Sequence, residues 1–535
     1  MTDQALLDKV LAFAPGKVAV EEYVNTYPAL RVEADALHDL ARFLKENEET
    51  DFDYLMCLSG VDWGANLGVV YHLRSTRHGH VLVLKTQTPE RITPTIDTIS
   101  DLWVGAEFHE REVYDMFGIR FTNHPDMRRI FMSDKWMGFP LRKDYQASNP
   151  LHLETEGAYE DEGIRKLASG KGKDETFIIN FGPQHPSTHG VLRLVITLEG
   201  ENVDQVQPHC GYIHRGIEKM CEHLTYQQIV HLTDRMDYLS AHINNEAVCL
   251  CVEKALQVEV PLRAQYIRTI MDELTRVASH LLFWTSFGMD LGATTCFFYS
   301  MRERDHILDI FEETCGARLV LSYVCPGGVM YDLHPNFQRR VKDFIREMRR
   351  RLPEYHRLLS GNVIFQGRSR NIGVLSHENA VSFGVTGPSG RASGWHCDVR
   401  KQDPYHVYSQ VDFQEAIRTE GDVFARYMLR MDELETSLNI IEQLIDQIPS
   451  GDYAAKMKPV IRVPEGEYYQ RVETARGDLG VWLVSQGDKF PYRLKFRSPG
   501  FSTLAALPHL CHGFKIADLI AISGSLDFVI PDIDR

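Results

Sequence analysis

The sequence predicts an α+β domain over residues 1–150, a linker over 151–175 and a mainly helical domain over 176–535 with small peripheral β elements. Three observations predict this fold. Residues 1–150 combine an amphipathic helical stretch with short apolar runs, residues 151–175 are rich in glycine and charge without apolar periodicity, and long helical stripes occupy the rest. The length of 535 residues agrees, because a single hydrophobic core stops growing at about 250–300 residues.

The first domain is predicted to pack a helix on an antiparallel or mixed sheet. Strand-like runs at Gly68–Arg74 and His80–Thr86 follow a helical stretch at Val32–Asn47, and a charged helix is expected at Thr98–Phe117. The helical stretch carries four apolar residues at helical spacing: Leu37, Leu40, Ala41 and Leu44.

Two carboxylates on the charged helix, Glu110 and Glu112, could suggest acid–base catalysis. Residues two apart on a helix point in different directions, so this pair does not converge on one atom. We therefore predict that both carboxylates are charge partners of neighbouring arginines.

The second domain is predicted to be a helix bundle. It opens with an apolar strand at Val191–Leu198, and strands are expected near its end at Gly480–Ser485 and Tyr492–Arg497. Between them, two stripes of apolar residues recur at spacings of three and four and predict core-facing helices. The stripes consist of Ile267, Ile270, Met271, Leu274, Val277, Ala278 and Leu281, and of Phe424, Tyr427, Met428, Met431, Leu434, Leu438, Ile441 and Ile445.

Composition excludes several classes of protein. The net charge of −16 argues against a nucleic-acid-binding protein, which would present a basic face. No apolar stretch approaches the roughly 18–20 residues that span a bilayer, and the N-terminus Met-Thr-Asp-Gln-Ala lacks the basic and apolar regions of an export signal. We expect a soluble or peripheral protein that stays in the cytoplasm.

The ten cysteines are scattered and include no Cys-x-x-Cys pair. Cys249 and Cys251 lie two apart on a predicted helix and therefore point in different directions. We predict reduced, buried thiols, and neither an iron–sulfur cluster nor a cysteine-bound metal within this chain.

The stretch Asn180–Leu194 reads Asn-Phe-Gly-Pro-Gln-His-Pro-Ser-Thr-His-Gly-Val-Leu-Arg-Leu and predicts a loop that leads into a strand. Its prolines and glycines disfavour helix, so His185 and His189 lie on a constrained segment. A His-x-x-x-His metal pair needs a helix to bring both rings to one face, and Pro186 argues against one. We predict no metal and interpret the imidazoles as hydrogen-bond or proton donors. A zinc-dependent hydrolase that uses both histidines is an alternative.

This stretch resembles the signature of the 49-kDa (D) subunit of respiratory complex I, the proton-pumping NADH:quinone oxidoreductase. Three further stretches, Glu110–Ile119, His124–Ile130 and Pro140–Tyr145, resemble the 30-kDa (C) subunit of the same complex. The order of the two halves is similar to the fused C/D subunit of some bacteria, and the resemblance covers nearly the whole chain. The D subunit also resembles the large subunit of [NiFe]-hydrogenases, which implies the helix bundle, but Ser525–Arg535 has no cysteine that could bind nickel.

The resemblance implies a quinone-headgroup pocket. Quinone reduction consumes two electrons and two protons, so the pocket needs donors at both carbonyl oxygens. Matching to the family pattern assigns these roles to His189 and Tyr238. By the same matching, Asp290 is the carboxylate partner that re-supplies His189 with a proton, and His185 lines the pocket or braces the loop.

Arg215 matches the arginine that lies beside the terminal [4Fe-4S] cluster of the adjacent B subunit. The implied partners are the B, I, H and A subunits and quinone, and no cofactor is expected in this chain alone. Two positions depart from the family pattern: Val320 stands where many members have a histidine near the cluster, and Cys325 where they have an arginine. We therefore expect a cluster of lower, less pH-dependent potential that suits menaquinone.

These features together imply a core subunit of the peripheral arm of a proton-pumping complex I, on the cytoplasmic side of the bacterial inner membrane. Its pocket receives electrons from the neighbouring cluster and reduces quinone to quinol. A purely architectural bridge between cluster-bearing and membrane subunits is the alternative.

Overall fold

The computed structural model describes residues 3–23, 25–146, 176–185 and 190–535. The predicted linker at 151–175 and the candidate donor His189 lie outside these residues. The α-helices are α1 Asp3–Phe13, α2 Leu37–Glu46, α3 Ala106–Phe117, α4 Ile217–Cys221, α5 Tyr226–Thr233, α6 Ala241–Leu256, α7 Leu262–Asp290, α8 Thr295–Cys315, α9 Phe337–Tyr355, α10 Val363–Gly367, α11 His377–Phe383, α12 Gly387–Arg391, α13 Val399–Gln402, α14 Val423–Ile445, α15 Pro499–Cys511, α16 Ile516–Leu526 and α17 Ile530–Asp534. The strands are β1 Val18–Val20, β2 Ala29–Val32, β3 Tyr54–Asp62, β4 Leu67–Arg74, β5 Val81–Gln87, β6 Thr95–Asp97, β7 Arg120–Thr122, β8 Thr176–Phe181, β9 Arg193–Glu199, β10 Asn202–His209, β11 Val324–Cys325, β12 Gly328–Val329, β13 Gly466–Thr474, β14 Gly477–Ser485 and β15 Arg493–Arg497.

A mixed five-stranded sheet in the order β1-β2-β5-β4-β3 forms the centre of the N-terminal part. Strands β2 and β5 run parallel, and the other neighbouring pairs are antiparallel. Helix α3 packs closely on β3, since a Cβ on Gly60 would lie 2.4 Å from the ring of Phe117. On the sheet's β4 strand, His72 packs against Tyr469 of the C-terminal part, with ring centroids 4.6 Å apart. The prediction of mixed helix and sheet in this part is confirmed.

The charged helix is shorter than predicted, because it begins at Ala106 rather than near Thr98. The preceding turn folds back onto the helix, where the Thr98 hydroxyl and the Ile99 N–H both donate to Glu110. Burial raises the pKa of Glu110 to about 8, so the carboxyl is neutral at pH 7 and needs no cationic partner. The prediction that Glu110 pairs with an arginine is therefore wrong.

The C-terminal part is built around the long helix α7, which packs against α8 and α14. The two predicted stripes lie on α7 and α14, and their residues are buried or partly buried in the hydrophobic core. Strands β8, β9 and β10 form a second sheet, and β13, β14 and β15 form a third. Asn180 and Phe181 belong to β8, so the first part of the predicted loop is in fact a strand. Among the helices of the described ranges, none is long and apolar enough to span a membrane.

A buried cluster of five charged side chains joins the two parts of the chain. The Glu112 carboxylate accepts from Lys495 and lies 3.0 Å from Nη2 of Arg535. Glu218 lies 2.7 Å from Nη1 of Arg493 and 3.5 Å from Nζ of Lys495. These cations hold the pKa of Glu112 well below its usual range against the cost of burial. The partners of Glu112 are therefore a lysine and an arginine that are distant in sequence, rather than neighbouring arginines as predicted.

We expect Glu112→Gln to lower the free energy of unfolding by roughly 3–5 kcal/mol, because Lys495 and Arg535 lose their shared counter-charge in a buried site. Denaturant unfolding of the purified chain measures this change. Glu347→Gln is the control: its carboxylate lies 2.7 Å from Arg350 on the outer face of α9, and an exposed pair contributes about 0–1 kcal/mol. Equal losses in the two variants would contradict the assigned role of the cluster.

Candidate functional site

The histidine loop is closed at both of its described ends. His185 and Gly190 form an isolated antiparallel bridge, and the His185 imidazole packs on Phe181 with ring centroids 3.9 Å apart. A Cβ on Gly190 would lie 2.9 Å from Cγ1 of Ile530 in α17, and Gly190 has a φ of +139°. Gly190 thus lies directly on the C-terminal helix, and His185 is bridged to Gly190 and packed on Phe181.

Tyr238 lies in the short connection between α5 and α6, with 39% of its surface exposed. Its neighbour Asp237 is buried and accepts a 2.9 Å hydrogen bond from Nη1 of Arg476. Arg476 also donates to the Ser279 hydroxyl at 2.9 Å and to the Asp527 carbonyl at 3.1 Å. Burial raises the pKa of the Tyr238 phenol, so the phenol keeps its proton at neutral pH. Tyr238 thus presents a protonated hydroxyl on a partly exposed ring, next to a backbone position that Asp237 anchors.

Asp290 is the last residue of α7 and is half-buried. A Cβ on Gly524 in α16 would lie 3.0 Å from Oδ2 of Asp290, so the carboxylate lies close to the backbone of α16. Tyr238 and Asp290 thus come from different elements, but both are supported by the segment 516–535. The histidine loop rests on the same segment.

Arg215 is exposed, and its Nη2 donates to the Arg235 carbonyl at 2.6 Å. The loop before it is held by Asp534, whose carboxylate accepts from the N–H groups of Gly211 at 2.8 Å and Ile213 at 3.0 Å. His214 stacks on Phe131 of the N-terminal part at 5.2 Å. Both parts of the chain therefore fix the direction in which Arg215 points.

Two exposed arginines belong to the segment of Tyr238 or contact its backbone. Arg235 is three residues before Tyr238 and donates to the His231 carbonyl at 2.7 Å, and Arg215 contacts its backbone. This arrangement presents fixed positive charge and a phenol proton to whatever covers the surface, which favours a group that gains negative charge.

Sequence reasoning missed the residues that support the site. Arg476 occupies the tight turn between β13 and β14, where a charged residue normally indicates exposure, so no local signal marks it as buried. The run Asp532–Arg535 offered a signal, since it places three charges in four residues at the chain end. The structure buries all three.

The ten cysteines are free thiols, and burial raises the pKa of most of them. Within the ranges that the structure describes, no three His, Cys, Asp or Glu side chains are grouped so as to hold a metal ion.

Comparison with known families gives two matches. Residues 290–461 and 455–535 match the model of the respiratory-chain NADH dehydrogenase 49 Kd subunit, and residues 30–150 match that of the 30 Kd subunit. The C/D subunit of the NADH-quinone oxidoreductase of Phocaeicola vulgatus is 54% identical over 95% of this chain and 99% of the relative. The C/D subunit from Nitrosospira multiformis is 35% identical over 96% of this chain and 92% of the relative. The D subunit from Bacillus mycoides is 46% identical over 68% of this chain and 99% of the relative.

Asp532 provides a test of the buried C-terminal charges. Burial, reinforced by the nearby Asp237 carboxylate, raises the pKa of Asp532 to about 6. An aspartate in the unfolded chain has a pKa near 3.9, so between about pH 4 and 6 the folded state holds a proton that the unfolded state releases. The contribution of Asp532 to stability therefore falls as pH rises through this window.

We expect the free energy of unfolding of the native chain, compared with that of Asp532→Asn at the same pH, to fall by roughly 3 kcal/mol as the pH rises from 4 to 7. The Ser498 hydroxyl donates to the Asp532 carboxylate, and the side-chain oxygen of an asparagine can still accept this bond. Urea unfolding at several pH values measures the difference. Asp452→Asn, at an exposed position, should follow the native chain at every pH, and parallel curves for Asp532→Asn would show that the carboxyl has an ordinary pKa.

Proposed function

We propose a quinone-reducing function for this protein from the premise that the chain belongs to the fused C/D subunits of NADH-quinone oxidoreductase, the respiratory complex I. The resemblance stated from the sequence motifs is thereby confirmed, and the chain is a component of an oxidoreductase complex. In our proposal it is a core subunit of the peripheral arm of a proton-pumping complex. With the cluster-bearing B subunit it forms the quinone-headgroup pocket.

The observation that carries the proposal is the exposed phenol of Tyr238, which keeps its proton and lies on a segment that also carries the exposed Arg235. A quinone accepts two electrons and two protons to become a quinol, and its oxygens gain negative charge as the electrons arrive. The Tyr238 phenol supplies a proton or hydrogen bond at one oxygen, and its raised pKa keeps it protonated until that charge develops. The other oxygen is assigned to His189.

Asp290 completes the proton supply in this proposal. A histidine that has donated a proton needs another, and a carboxylate on its second nitrogen fixes the tautomer and favours reprotonation. The seat of Asp290 against Gly524 supports a carboxylate held in one position. His185, packed on Phe181, braces the loop.

Electrons reach this pocket from the terminal [4Fe-4S] cluster of the B subunit, and no cofactor belongs to this chain alone. The exposed guanidinium of Arg215 is held in place, and in this position it would stabilise negative charge added to a neighbouring cluster. We further propose the I, H and A subunits as partners, and a peripheral position on the cytoplasmic side of the inner membrane. Menaquinone is the proposed substrate, because Val320 and Cys325 supply neither a titratable imidazole nor a fixed cation near the cluster.

We expect Tyr238→Phe to lower quinone reductase turnover in membranes by roughly 100-fold, the scale of a lost general acid, while the complex still assembles. His189→Gln and Asp290→Asn should lower it as well. Tyr453→Phe is the matched control, since this tyrosine has a similar exposed fraction of 38% and should leave turnover unchanged. Unchanged turnover in all three site variants would refute the site.

A purely architectural role is the competing proposal, and the buried charge cluster between the two parts of the chain favours it. Photolabelling of the intact complex with a quinone analogue separates the two. Label on this chain near Tyr238 supports the pocket, and label on other chains only supports the architectural role.

The departure at Val320 predicts a redox property. We expect the cluster of the native complex to show a low midpoint potential with little dependence on pH between 6 and 8. Val320→His should introduce a slope that approaches about 59 mV per pH unit for a one-electron couple. Potentiometric titration of the intact complex measures both, with Val320→Phe as a control for size. A high native midpoint with a steep slope would contradict the menaquinone proposal.

A further inference from the structure

A cleft beside Tyr238 is lined by three buried polar atoms that have no hydrogen-bond partner among the described residues. They are Nε of Arg304, Oγ1 of Thr275 and Nε2 of His242. The three residues are 7%, 3% and 0% exposed. Native proteins leave few buried polar atoms unsatisfied, so the convergence of three on one cleft indicates a missing ligand.

Arg304 is the strongest of the three observations. Within the described ranges, no carboxylate forms an ion pair with its guanidinium. The adjacent Asp305 pairs with Arg318 instead, at 2.5 Å, and Arg318 also pairs with Asp309 and Glu312. Burial lowers the pKa of Arg304, yet a guanidinium stays charged in proteins. An uncompensated buried cation costs several kcal/mol, and a bound anion would remove that cost.

The cleft is small. Its empty volume is about 240 Å³, which includes open solvent at the mouth, so the enclosed space is smaller than this figure. Leu308 and Phe311 form apolar walls, and Tyr238 and Leu319 form a partly exposed rim. This space suits the end of a side chain better than a whole cofactor.

We propose that the cleft receives an aspartate or glutamate side chain of a partner subunit. A carboxylate accepts two parallel hydrogen bonds from a guanidinium, and the Thr275 hydroxyl supplies a further donor. His242 is bonded through Nδ1 to Asp272 at 2.6 Å, and its Nε2 has no partner among the described residues. The exposed rings and side chains at the rim are surfaces that a covering protein would bury.

The occupant is a protein carboxylate rather than a free anion, because the donors lie beneath an apolar rim. A partner protein can cover this rim with its own surface and at the same time place a side chain in the cleft. The inference rests on membership of a multi-subunit complex. It does not depend on quinone reduction at Tyr238, and its test uses no turnover measurement.

Arg304→Gln should have opposite effects on the isolated chain and on the complex. In the isolated full chain the melting temperature should be unchanged or higher, since an unpaired buried charge has been removed. In the complex, the off-rate of partner subunits from the tagged chain should rise roughly 30-fold, because the partner carboxylate is then buried without its cation. Arg346→Gln, whose side chain is 77% exposed, is the control and should change neither quantity.

Arg304→Lys identifies the partner. A carbodiimide joins a lysine amine to a contacting carboxylate as an amide with loss of water, and we expect a cross-linked peptide from another subunit. An unchanged off-rate in Arg304→Gln would overturn the proposal. A second result would also overturn it: acetate stabilises the isolated chain, Arg304→Gln abolishes that stabilisation, and the complex is unaffected. The ligand would then be a free small anion.

Discussion

The burial of the C-terminal Arg535 is the interaction on which the rest of the structure depends. Its guanidinium lies 3.0 Å from Glu112 of the N-terminal part and donates to the Phe496 carbonyl. The preceding Asp534 carboxylate holds the loop that carries Arg215. A buried charge is tolerated only where its partners are in place, so the last residues of the chain can adopt this position only when both parts are folded and docked.

This dependence explains how surface side chains are held rigidly. Gly190, after the histidine loop, lies against Ile530, and Asp290 lies close to Gly524. Asp237, the neighbour of Tyr238, is tied through Arg476 to Asp527. Each contact transmits the position of the C-terminal segment to a separate element. A site built from different elements gains its geometry from a shared support rather than from direct contacts between its members. The reactive groups can then remain at an edge where another chain of the complex closes the site.

The elements predicted from the sequence are those with a clear apolar period. Helices α7 and α14 follow their stripes because a helix buries the residues that recur every three to four positions. Strand β13 was missed, since Glu467, Arg471 and Glu473 interrupt its apolar residues. The structure buries these charges by pairing them: Arg471 with Asp478 at 2.9 Å, and Glu473 with Arg391 at 2.7 Å. Long-range ion pairs of this kind leave no local signal in a sequence.

The candidate site shows the same limit. Tyr238 and Asp290 are assigned by matching to a family pattern, because one phenol among 22 tyrosines has no local mark of function. The prediction for Glu110 is wrong for a related reason: its neutral state arises from burial, which only tertiary packing creates and which outweighs the hydrogen bonds from the turn at Thr98. Charge in a sequence predicts neither exposure nor ionisation when the fold can supply partners.

Other buried arginines of the fold provide a comparison for Arg304, which lines the cleft beside Tyr238. Arg391 lies 2.5 Å from Glu433 and 2.7 Å from Glu473, and Arg426 donates to two backbone carbonyls and a serine. Arg391 is thus neutralised by two carboxylates, whereas Arg426, which forms no ion pair among the described residues, is held by neutral oxygens alone. Arg304 lacks such compensation within the described ranges, and it opens onto a cleft rather than into the core. A buried guanidinium that the described part of the chain neither pairs with a carboxylate nor bonds is open to a partner at that surface, and we assign its counter-charge to another chain of the complex.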